Sequence, residues 1–281
     1  MTIDELIINL APTGMVPTRA ETPHVPLTPA EVAADVRRCA DLGAAIVHVH
    51  PRDEKGQPSQ TAERAREYFE AIRAAAPDII LCATTSGRVV SDLEPRAAVL
   101  AIEGDARPEM ASLTLGSMNF PKQASINSPD TIRGLATAMA ERGIVPEWEV
   151  FDLGMLDFAR YLRGHGLLGD PVYVNILLGS LGTLSATPLN LALAVERLPH
   201  GATWAATGVG RFQFAVQKWA IAMGGHVRVG LEDNVWFDDH RTDLATNPRL
   251  VERLVAVGRA SGREPASPAQ VRELLGISAR R

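Results

Sequence analysis

Two histidines stand one residue apart in the run Ala-Ala-Ile-Val-His-Val-His-Pro-Arg-Asp, at His48 and His50. Side chains alternate along a β-strand, so both imidazoles leave one face while Val47 and Val49 leave the other. Neutral imidazole is the commonest metal-binding side chain, and two that converge make half a site. Two hydrogen-bonded histidines at a strand end would give the same pattern, so the pair alone does not decide. A second stretch adds more. In GGHVRVGLEDN, residues 224–234, the alternation puts Arg228 and Glu232 on one face, with Gly230 between them leaving room for a ligand or a close backbone approach. A guanidinium and a carboxylate turned into a protein interior are costly without partners. A metal held by His48, His50 and Glu232 satisfies the carboxylate, and an anionic substrate satisfies Arg228. Two histidines and one carboxylate leave coordination positions open, as a catalytic zinc site requires, although non-haem Fe(II) accepts the same donors.

Other polar residues fall at similar places. Thr84-Thr85-Ser86-Gly87-Arg88 offers hydroxyls and a glycine suited to a carboxylate, and Ser112 is a further inward hydroxyl. Glu147 and Glu149 share a strand face, as partners of the ligands or of the substrate. Gly208-Val209-Gly210-Arg211 opens a helix, where free N–H groups attract anions, but such turns are common. His24, His165, His200 and His240 fall in loops or at helix ends and read as solvated.

These residues need elements to hold them. Short β-branched runs at 6–10, 45–50, 79–84, 110–113, 147–151, 172–177, 203–206 and 227–231 alternate with helical patterns. The helices fall at about 28–42, 60–76, 92–102, 129–142, 155–165, 188–198, 211–223 and 247–260. Thr28-Pro29-Ala30-Glu31 has the form of a capping box, Ser128-Pro129 and Ser267-Pro268 resemble further caps, and Gly43 and Gly143 stand at helix stops. Eight βα units predict one (β/α)8 barrel over residues 1–281, with a short helical extension at 268–275. In a barrel the polar strand ends gather at one mouth. An open doubly wound sheet lacks its glycine fingerprint here.

Composition agrees. The chain has 281 residues, 46% hydrophobic and 22% charged, which excludes wholesale disorder, collagen and coiled coil. A net charge of −5 without a basic run argues against nucleic acid as a partner. Two cysteines, Cys39 and Cys82, cannot build a disulfide framework and read as buried apolar residues. Residues 171–195 carry no charge, but Gly179, Gly182, Thr183, Pro188 and Asn190 interrupt the run, so strand, loop and helix fit better than a membrane span. The N-terminus has no signal-peptide pattern, and a cytoplasmic protein is expected.

HVHPRD, TTSG, PEMASLTLGSMNF, PEWEVFDLGML, GVGRFQ and GGHVRVGLEDN occur in order along nearly the whole chain. The set resembles the β-keto acid cleavage enzymes, whose founding activity is 3-keto-5-aminohexanoate cleavage. The resemblance implies a zinc-binding (β/α)8 barrel, a homotetramer, in which a β-keto acid and acetyl-CoA exchange parts to give acetoacetate and a new acyl-CoA. It implies His48, His50 and Glu232 as zinc ligands and Arg228 with Asp233 as the catalytic pair. Thr84, Gly87 and Ser112 would grip the keto acid's carboxylate. A barrel hydrolase with zinc-activated water, or a metal-dependent barrel that only binds a metabolite, are the alternatives. Hydrolysis without CoA, or binding without turnover, would identify them.

Two positions depart from the pattern. Pro51 replaces the more usual valine and lies beyond the ligands. Val16 stands where amine-accepting members carry an acid, and Met15 beside it is also apolar. An unpaired buried ammonium is expensive, so the expected substrate has an uncharged aliphatic side chain. A diacid ranks second, through Arg88 or Arg52. Comparing kcat/KM for the aminated keto acid, its alkyl analogue and a diacid tests this expectation. Preference for the amine would mean that another acid, such as Glu149, meets the ammonium.

Overall fold

The computed structural model describes residues 3–278. Eight parallel strands close on themselves: β1 (Ile8–Leu10), β2 (Ile46–Val49), β3 (Ile80–Ala83), β4 (Met110–Thr114), β5 (Val145–Val150), β6 (Tyr173–Leu178), β7 (Thr203–Gly208) and β8 (His226–Val229). Each pairs with the next, and β8 returns to β1 through Asn9 opposite Arg228. The connecting helices are α1 (Pro29–Leu42), α2 (Ala62–Ala75), α3 (Leu93–Ala97), α4 (Pro129–Glu141), α5 (Leu153–Gly164), α6 (Pro188–Glu196), α7 (Gln213–Ala222) and α8 (Asn247–Ala260). Residues 171–195 are β6, a glycine loop and most of α6; among the described residues no helix is long and apolar enough to cross a membrane.

Local chemistry explains the boundaries. Thr28 and Glu31 form the capping box of α1 with Pro29 in its first turn, and Gly43 stops it at φ 115°, a left-handed angle that glycine adopts without strain. Ser128 caps α4 and Ser267 caps α9 (Pro268–Leu274) through their hydroxyls. The helix expected over 92–102 is shorter: α3 tightens after Ala97 into a 3₁₀ turn, Ala98–Ala101, as helix ends often do. That turn still buries Val99 and Leu100.

Strand alternation sorts the core into two parts. Outward residues such as Leu10, Val47, Val49, Leu81, Leu113, Ile176 and Val229 pack with the helices. Inward Ile7, Ile46, Ile80, Met110, Tyr173 and Ala205 form an apolar floor, which α9 closes with Val271 and Leu275. Arg272 of α9 reaches Glu109 at the foot of β4, so the extension packs across its own barrel. Cys39 and Cys82 are both buried and free.

At the floor, His226 Nδ1 accepts from the Ile7 N–H at 3.0 Å and from Arg263 at 3.2 Å. Burial and the Arg263 charge hold the imidazole neutral down to about 3. The unfolded chain, with an ordinary histidine near ~6.5, therefore binds one proton more between these values, and stability falls as pH falls through that window. The expected slope is about 1.4 kcal/mol per pH unit. His226→Asn keeps an acceptor and has no proton to take up, so chemical denaturation at several pH values should show the variant losing less stability on acidification. Parallel curves would contradict this assignment.

Candidate metal and catalytic site

Above the apolar floor the barrel interior turns polar. His48 and His50 project from β2 with their Nε2 atoms 3.0 Å apart, and His50 Nε2 lies 3.2 Å from Glu232 Oε1. One donor atom from each of the three residues lies within 4.8 Å of the others. On its far side, His48 Nδ1 donates to Glu147 Oε2 at 2.6 Å, so that in the neutral ring the Nε2 lone pair faces His50. A carboxylate holding the outer nitrogen of a histidine is the usual way to fix a metal ligand's tautomer and angle. Glu147 is itself fixed, because its Oε1 accepts from Asn9 and Asn175 at 2.6 and 2.7 Å. Burial opposes its charge, yet His48, Arg228 and the Asn9 amide hold the carboxyl at about 2. Burial also lowers His50, which favours the neutral ligand form, whereas Glu147 outweighs burial at His48 and raises it.

Arg228 organises the other half. From a fully buried position its guanidinium meets Glu149 at 3.2 Å, Glu232 at 2.6 Å and Asp233 at 3.0 Å. Glu149 is also held by the Thr114 hydroxyl at 2.7 Å. Burial and the neighbouring Glu232 charge push Asp233 up to about 6, against the pull of Arg228.

The structure corrects the expected strand over 227–231. β8 ends at Val229, and Gly230, at φ 150°, turns the chain so closely past Ala11 that a β-carbon there would strike the Ala11 carbonyl. The glycine thus serves a close backbone approach. Glu232 and Asp233 reach the site from the following turn, which is why both touch Arg228 although alternation would send them to opposite faces. Gln213 holds the Gly230 carbonyl, Asn247 accepts from the Leu231 N–H, and the Gly210 N–H donates to the Asp233 carbonyl. The N–H of Gly210 is therefore committed to positioning Asp233. Gly14 abuts Glu232 from the β1–α1 loop, at a left-handed φ of 64°.

The remaining sites are more varied. Thr84 and Ser112 are buried at the mouth, and their hydroxyl oxygens accept from the N–H groups of Ser86 and Thr85 at 3.2 and 3.0 Å. Each keeps its proton to donate. Gly87 packs against the Ile126 carbonyl and Arg96, so its lack of a side chain serves loop packing as well. Val16 is half exposed in the loop that carries Gly14. Arg52 is unavailable to a substrate: its guanidinium donates to the carbonyls of Gly14, Gly56 and Pro17. His24, His165, His200 and His240 are exposed.

Known proteins resemble the chain along nearly its whole length. The model of the beta-keto acid cleavage enzyme family matches residues 5–277. The chain belongs to that family. A "3-keto-5-aminohexanoate cleavage enzyme" of Fusobacterium nucleatum is 39% identical over 98% of this chain and 99% of its own length. A "3-oxoadipate:acetyl-CoA acetyltransferase" of Cupriavidus necator is 36% identical over 96% of this chain and 94% of its own. Among solved structures, "Ternary complex of ObcA with C4-CoA adduct and oxalate" superposes with a TM-score of 0.83 at 23% identity, covering 92% of this chain and 68% of that one, a likeness of fold.

Within this member of the family, sequence reasoning missed Asn9, Asn175, Thr114 and Asn247. The first three are inward polar residues on apolar strands, a signal that alternation supplies. Asn247 comes from α8, and only the folded chain brings it to the turn. Glu147→Gln should weaken divalent-metal affinity by about 10- to 100-fold, the usual cost of disturbing such a partner. Competition with a chromophoric chelator reads the change, and unchanged affinity would show that Glu147 does not set the histidine.

Proposed function

We propose that this protein is a zinc-dependent acyl-exchange enzyme, converting a β-keto acid and acetyl-CoA into acetoacetate and a new acyl-CoA. The observation that carries the reading is the pairing of two convergent imidazoles with the Arg228–Asp233–Glu232 cluster at one barrel mouth. The names of the curated relatives support the reaction class. The donor set fits a divalent cation on physical grounds. Glu232 Oε2 is buried without a hydrogen-bond partner, and the carboxylates around Arg228 outnumber its single charge. His48, His50 and Glu232 would hold the ion, with positions left for substrate.

Zinc, when bound, polarises the keto acid's ketone as a Lewis acid. The chain's own residues do the rest. Thr84 and Ser112 donate hydroxyl protons to the substrate carboxylate and orient it. Asp233 accepts a proton from the acetyl methyl group of acetyl-CoA, with its carboxylate held in place by Arg228 Nε. Its raised basicity suits that task better than an ordinary aspartate's, since a base near the working pH transfers protons best. Arg228 stays charged, because three carboxylates outweigh its burial.

Purified protein should contain about one zinc per chain, and His48→Ala or Glu232→Ala should lose metal and turnover together. Asp233→Asn should keep the metal and lose turnover by at least ~10²-fold, with acetyl-CoA consumption as the readout. Full activity without metal, or hydrolysis of the keto acid without CoA, would reject the reading.

A further inference from the structure

Among the described residues, Arg228, Arg52, Arg96 and Arg88 stand near the barrel mouth, and the first three are committed. Arg228 is held by carboxylates and Arg52 by loop carbonyls. Arg96 donates to the carbonyls of Thr85 and Ile126 and to Asn127, bracing the loop after β3 against the hairpin of Met118–Asn119 and Ala124–Ser125. Arg88 differs. Its guanidinium has no carboxylate or carbonyl partner among the described residues, although much of the side chain is withdrawn from solvent. Its guanidinium carbon lies over Phe120 of the same hairpin, 3.7 Å from the ring centroid, and Phe120 meets Phe151 edge to face at the end of β5.

A guanidinium stacked on a ring keeps its in-plane N–H donors free and fixes where they point, which suits it to a carboxylate. Arg88 sits four residues beyond Thr84, further out along the loop that starts at the candidate grip for the first carboxylate. The ring beneath it meets Phe151, two residues past Glu149, which places Arg88 on the side of the mouth where the carboxylates gather, and the charges of Glu232, Glu149 and Asp233 act on it. A neutral alkyl group beside it would leave a partly desolvated cation unpaired, a penalty that an anion removes.

Resting on the acyl-exchange reading, we infer that Arg88 receives a second anionic group on the keto acid, so the preferred substrate is a dicarboxylic β-keto acid. Arg88 then displaces the neutral substrate expected from sequence.

The test compares 3-oxoadipate with 3-oxohexanoate, equal in length and differing by one carboxylate. Both turnover with acetyl-CoA and binding to the zinc-loaded protein by calorimetry, without acetyl-CoA, are measured for the natural chain, Arg88→Met and Arg88→Lys. In the natural chain the diacid should be preferred. Arg88→Met should reduce the diacid-to-monoacid ratio by about 10- to 100-fold in both measurements, as loss of a charge-assisted hydrogen bond does, and Arg88→Lys should restore part of it. An unchanged ratio would overturn the assignment, as would a rise in the KM for acetyl-CoA that is equal with both acids, which would place Arg88 on a CoA phosphate. Diacid preference in binding without turnover of either acid would reject the acyl-exchange reading and leave Arg88 in its role.

Discussion

Four carboxylates, from Glu147, Glu149, Glu232 and Asp233, are gathered with one guanidinium and two imidazoles where the barrel keeps most of them from water. Charge of one sign collected in a low-dielectric interior is unfavourable unless it is neutralised. Arg228 serves three of the four, and His48 with two amides serves Glu147. An oxygen of Glu232 is left over, beside two ring nitrogens that face each other. A divalent cation, as proposed above, would resolve all three at once.

The supporting devices lie outside the site. Gly14 and Gly230 let backbone and carboxylate pass at distances a side chain would forbid. Asn247 ties the turn after β8 to Asp35 of α1 and to the Pro12 carbonyl, so the elements flanking the barrel's closing seam share one amide. Gln213 and Gln217 of α7 hold the carbonyls of Gly230 and Arg228. The reacting groups thus rest on rigid backbone, which keeps their spacing once ligands arrive.

Much of this was legible in the residues. Alternation along β5 gave the paired glutamates and along β2 gave His48, with His50 continuing the same alternation one residue past the strand's end. At β8 the same argument paired Arg228 with Glu232 for the wrong reason, since a positive φ at Gly230 ends the strand first. Arg52 could be read only as a second-ranked contact for a diacid, because its actual acceptors are backbone carbonyls, which carry no sequence signature. The stack of Arg88 on Phe120 escaped for a related reason: it depends on a hairpin more than thirty positions along the chain.

Two sets of side chains could take the metal, His48, His50 and Glu232 at the mouth and His48, Cys82 and Glu147 deeper in, and the proposed function places it in the first. Both groups are close enough, but His48 offers the second set only the nitrogen already given to Glu147, and Glu147 is itself held by Asn9 and Asn175. Zinc-edge X-ray absorption on the loaded protein separates them. Binding at the mouth gives only nitrogen and oxygen neighbours at about 2.0–2.2 Å, with the multiple-scattering pattern of two imidazoles. A sulfur neighbour at about 2.3 Å, or a shell with fewer than two imidazoles, would contradict it.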